Sequence, residues 1–138
     1  MKNIVKVIVS TGLAILMMTG CSRTAPLVNV NESAVVPMDS SKPVTNDQVR
    51  SAIIRAGIGL GWSMQKVKDG ELKATLYLRS HVAAVRIPYN TKAYSIEYIS
   101  SSNLKYNEDK KTIHSNYNGW ISNLNIAIQK ELSLINMR

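Results

Sequence analysis

The sequence predicts an α+β domain in which a helix, a four-stranded antiparallel sheet and a C-terminal helix form two layers, with both helices on one sheet face. Three observations carry this expectation. Thr45 and Gln48 match a capping box that opens an apolar stripe of helical spacing. Between Trp62 and Tyr98 apolar residues recur at every second position. From Ile113 the helical period returns and continues to Ile135.

The first element is a leader. Lys2 and Lys6 make its start cationic, Val7 to Met18 is apolar apart from Ser10, Thr11 and Gly12, and Thr19-Gly20 supplies a small-residue cleavage site before Cys21. The stretch is shorter than the roughly 18 apolar residues a membrane span needs. Cys21 is the only cysteine among 138 residues, so an intramolecular disulfide is excluded. Met18-Thr19-Gly20-Cys21 resembles the bacterial lipobox, although methionine stands where leucine is usual. That resemblance implies that residues 1–20 are a lipoprotein signal peptide that is removed. It also implies that Cys21 is lipidated, with a diacylglycerol on sulfur and usually an acyl group such as palmitate on the new amino terminus. Two or more chains anchor stably, because each buried methylene contributes about 0.8 kcal/mol. An ordinary secretory leader would leave a free thiol instead, an awkward product in an oxidising compartment. Ser22, where aspartate would favour the inner membrane, resembles an address to the outer membrane.

Processing leaves one small domain, residues 44–138, behind a segment 21–43 whose prolines and small polar residues predict a flexible tether. Within it only Leu27-Val28-Asn29-Val30 has the composition of a brief strand. Removing Lys2 and Lys6 with the leader reduces 17 basic residues to 15 against 9 acids, a net charge of +6. In an exported protein this charge points to anionic envelope polymers and phospholipid and not to nucleic acid.

The domain opens on Thr45, with Val44 and Val49 at hydrophobic-staple positions and Asp47 favourable to the helix dipole. Val49, Ala52, Ile53, Ala56 and Leu60 form the apolar face, and Gly57, Gly59 and Gly61 end the helix. Phosphate-cradling glycine loops open helices, so these closing glycines predict no nucleotide site. A hairpin follows around Asp69-Gly70. A three-residue loop Lys68-Asp69-Gly70 is expected, because that register puts Trp62, Met64, Ala74 and Leu76 on one face. The third strand points Val85, Ile87 and Tyr89 inward and Val82, Ala84 and Arg86 outward; Pro88 suits its end. Asn90 to Ala93 turn into a fourth strand with Tyr94, Ile96 and Tyr98 inward. Ser100 to Lys111 reads as polar loop anchored by Leu104 and Tyr106. A helix from Thr112 to Ile135 carries Tyr117, Trp120, Ile121, Leu124, Ile128 and Leu132 on its stripe, with Gly119 expected at a close approach to the sheet.

Chemistry-bearing constellations are sparse. His81 and His114 are the only histidines, and without a thiol they predict no metal site and no cofactor. No serine sits in a nucleophile elbow and no acid–base pair is legible, so the chain is read as non-enzymatic.

Gly61-Trp62, Arg79-x-His81, Val85 to Tyr89, Tyr94-x-Ile96-x-Tyr98 and Ile113-His114-x-x-Tyr117-Asn118-x-Trp120 together resemble small uncharacterised lipoproteins of Gram-negative bacteria. The resemblance covers most of residues 45–135 and implies a location and a fold more than a function. The expected role is a non-catalytic interaction module of the cell envelope, anchored at Cys21 to the periplasmic face of the outer membrane. Outward alternation nominates Lys73, Tyr77, Arg79 and Arg86 as its interaction surface toward envelope proteins or anionic polymers. The alternative is a binding protein for a small periplasmic ligand, with a polar pocket between helices and sheet built from Trp62, Tyr98, His114, Tyr117 and Asn118.

Overall fold

The computed structural model describes residues 23–137, so the leader and Cys21 lie outside the described residues. Its elements are strands β1 (Thr24–Pro26) and β2 (Val30–Ala34), helix α1 (Asn46–Gly59), strands β3 (Ser63–Lys68), β4 (Glu71–Leu78), β5 (His81–Pro88), β6 (Ala93–Ser102) and β7 (Thr112–His114), and helix α2 (Ser115–Ser133). The fold is α+β, with a five-stranded antiparallel sheet ordered β2-β6-β5-β4-β3 and a separate β1-β7 pair.

Both ends of α1 follow from local chemistry. Thr45 Oγ1 accepts the Gln48 amide at 3.2 Å while Gln48 Oε1 accepts the Thr45 amide at 3.0 Å, closing the capping box. At the other end the Gly61 amide donates to Ile58 and the Trp62 amide to Gly57, a Schellman closure that needs the left-handed φ of 84° at Gly61. Gly57 is buried where a Cβ would overlap the Met64 sulfur, which lets α1 lie close to β3. The helices run antiparallel: Gln48 at the start of α1 bonds Asn136 beyond α2, and Arg55 pairs with Glu131 at 3.0 Å. Their buried residues Val49, Ile53, Tyr117, Ile121, Leu124 and Ile128 share one core with Leu72, Ala74, Val85, Ile87, Tyr94 and Ile96 of the sheet.

Six expectations are corrected. The segment 21–43 is not a free tether over its described length, because β1 pairs with β7, β2 forms an edge of the sheet, and Leu27, Val30 and Val35 pack on the core. Of the expected strand at Leu27–Val30, residues 27–29 are the link between those two strands and Val30 opens β2. The sheet therefore has five strands where four were expected.

The hairpin turn has two residues: Lys68 pairs with Glu71 across Asp69-Gly70, with Gly70 at a φ of 80°. The strand body nevertheless keeps Met64 opposite Ala74, since the extra residue is Val67, displaced into a bulge within β3. Thr112 to His114 is strand and not helix, so α2 begins at Ser115. Gly119 is exposed with nothing within 4 Å of its would-be Cβ, so it marks no close packing.

Candidate functional site

Strand pairing decides which side chains share the sheet face turned away from the helices. Directly opposed residues lie on one face, so Lys73 and Arg86 are neighbours, Arg86 adjoins Glu97, and Tyr77 lies across from Val82. This face stays open at Tyr77, whose side chain is 69% exposed. Arg86, expected as part of a solvent-exposed interaction surface, is clamped by Glu71 and Glu97 at 2.6 Å each. Hydrogen bonds to Glu97 and then Glu71 hold the guanidinium pKa above its ordinary value. Arg86 therefore braces β4, β5 and β6, and Lys73 with Tyr77 remains as the accessible pair. Arg79 is not on the face. It occupies the β4–β5 turn at a left-handed φ of 56°, at one end of the sheet.

The five residues expected to line a polar pocket are not brought together. Tyr98 and Tyr117 meet edge-on in the core at 5.7 Å, with Tyr106 stacked on Tyr98 at 4.4 Å. Burial raises the pKa of both Tyr98 and Tyr117. Asn118 serves the backbone: its Oδ1 accepts the Val28 amide and its Nδ2 donates to the Pro26 carbonyl, which fastens the β1–β2 link to α2. Trp62 is buried beside a small groove of about 150 Å³, lined with Leu60, Leu76, Leu78, Trp120 and Asn123. Trp120 is half-buried there and not enclosed in the core.

His114 belongs to a different cavity. It is the N-cap of α2, where its Nδ1 accepts the Asn116 amide at 3.1 Å, a role that requires an unprotonated Nδ1 and leaves Nε2–H as a donor. Beside it opens a cleft of about 510 Å³ lined by Arg23, His81, Asn103, Lys105, His114, Ser115 and Asn116. His81 Nδ1 donates to the Asn103 carbonyl at 2.9 Å, so its Nε2 is the nitrogen left over. The chain's two histidines, far apart in sequence, thus reach one cleft with two cations and no carboxylate in its lining.

Sequence reading missed Arg23 and Lys105 here. The only local cue was the position of Arg23, two residues after Cys21. Among the described residues no group of three or more histidine, cysteine or carboxylate side chains is placed to hold a metal. Comparison with family models, with curated proteins and with solved structures gives no match.

Proposed function

We propose that this chain is a lipid-anchored protein of the outer membrane that faces the periplasm and acts as a non-catalytic interaction module of the cell envelope. The observation that carries this reading is the open sheet face, where Tyr77 stands 69% exposed beside a strand of alternating polar residues. Aromatic side chains that can be desolvated at little entropic cost dominate the energetics of protein interfaces, and Lys73 adds charge selectivity to the same face. The lipobox-like Met18 to Cys21 supplies the anchor. Position 77 is the place to test it. A photocrosslinking residue there should capture one envelope partner in intact cells, and Lys73→Glu should abolish the adduct while the thermal midpoint moves by no more than a few degrees. An adduct that survives Lys73→Glu undiminished, or none at all, would remove the sheet face as the interaction site.

A further inference from the structure

We infer that the cleft between His81 and His114 binds the phosphate of an anionic lipid headgroup next to the acylated cysteine. The inference deepens the proposed function and rests on its lipid-anchor reading. Three observations converge on it. The first is the cleft's chemistry: Arg23, Lys105 and both imidazoles line about 510 Å³ together with Asn103, Ser115 and Asn116, and no acid opposes them. The amides of Ser115 and Asn116 are already donated, to the Arg23 carbonyl and to His114 Nδ1, so recognition must come from side chains and not from the helix end. Nε2–H of His114 is a fixed donor, and His81, whose Nδ1 is taken by the Asn103 carbonyl, has its other nitrogen free.

The second observation is position. Arg23 precedes β1, which is held against β7 at Thr24–His114, so Arg23 is fixed to the domain. Two residues of chain span at most about 7 Å. A lipid on the Cys21 sulfur would therefore bring the cleft to the depth of the headgroups.

The third is the neighbouring surface. The His81 ring lies 6.3 Å from that of Trp120, which lines the groove with Leu60 and Leu78, two leucines that are 43% and 42% exposed. A half-buried tryptophan and exposed leucines beside a cationic cleft match a membrane interface, where indole rings settle at headgroup level.

The test titrates the full-length protein in neutral detergent with dihexanoyl-phosphatidylglycerol and, in a separate arm, with inorganic phosphate. It reads the imidazole resonances of His81 and His114 and the Asn116 amide, and mass spectrometry of the same sample reports the acyl groups. The lipid should shift all three signals, with inorganic phosphate weaker on the same residues. Arg23→Gln with Lys105→Gln, both at exposed positions, should weaken the lipid about 30-fold, as expected for two cations lost from beside an anionic headgroup. Signals that ignore the lipid, or a double variant that binds it unchanged, would overturn the inference. Inorganic phosphate binding as tightly as the lipid would overturn the headgroup assignment. An acylated chain with a silent cleft refutes the cleft and leaves the anchor, whereas a responding cleft on an unacylated chain supports the cleft and refutes the anchor.

Discussion

A buried hydroxyl without a partner costs about 1–3 kcal/mol, and Tyr117 carries one: its ring is fully buried and its oxygen has no hydrogen-bond partner among the described residues. Tyr117→Phe removes that oxygen and keeps the edge-on contact with Tyr98. The variant should gain about 1 kcal/mol of unfolding free energy, read from the denaturant midpoint at unchanged slope. It should also change the alkaline limb. Burial raises the Tyr117, Tyr94 and Tyr98 pKa values in the folded state, so their contribution is fully present below about pH 10, where the unfolded chain also holds its phenolic protons. Above it the unfolded state loses protons first and stability falls. Without Tyr117 that fall should be shallower, by up to about 1.4 kcal/mol per pH unit. An unchanged alkaline slope would mean that Tyr117 is not shielded from water.

At the scale of elements, α1 and β3 meet at a close joint. A methyl group on Gly57 would overlap the Met64 sulfur, the movable end of a flexible side chain. Gly57→Ala should therefore lose, to the displaced Met64, part or all of the roughly 1 kcal/mol that alanine gains over glycine inside a helix. Because one contact is responsible, Met64→Ala should leave Gly57→Ala stabilising by about that amount, and a double-mutant cycle with no coupling would refute the assignment. This joint shows what sequence can and cannot reveal. The cap at Thr45, the closing glycines and the alternation on β4 were legible, because each is set by residues a few positions apart. The strands in 24–34 were not. β1 is the three residues Thr-Ala-Pro, and β2 bends at Glu32, whose φ is 45°, so neither carries a period. Their partners β7 and β6 lie tens of residues away and supply the order. The same reason explains the cleft: Arg23, His81, Lys105 and His114 sit on four separate segments, and only the fold makes them neighbours. Arg86 was misread for a related cause, since alternation puts a residue on a face but does not show that Glu71 and Glu97 flank it.

At the scale of the whole molecule, the antiparallel helices and the strand ends place the C-terminus of α1, the start of α2, the β4–β5 turn and Arg23 at one end. Both tryptophans line the groove at that end, so the chain contains its own depth probe. With β1 starting three residues after Cys21, an acylated chain has no slack to hold its domain away from the bilayer. That geometry makes a direct prediction. Vesicles whose lipids carry bromine on the upper acyl chain should quench Trp120, which is half-buried, more than Trp62, which is buried. Substituting phenylalanine for one tryptophan at a time separates the two signals. Inserting 20 glycine and serine residues after Ser22 restores the tether that composition suggested and adds a root-mean-square reach of about 25 Å. Acylation should be unaffected, since Met18 to Cys21 is unchanged, but quenching should fall to the level of a soluble indole. Response of the His81 and His114 resonances to headgroups in the vesicle should weaken in parallel, because the effective concentration of lipid at the cleft drops with the length of the link. Undiminished quenching in the spacer variant would show that the tryptophan end binds the bilayer without help from the anchor. Absence of quenching in the parent chain would show that the short link does not bring this end to the membrane.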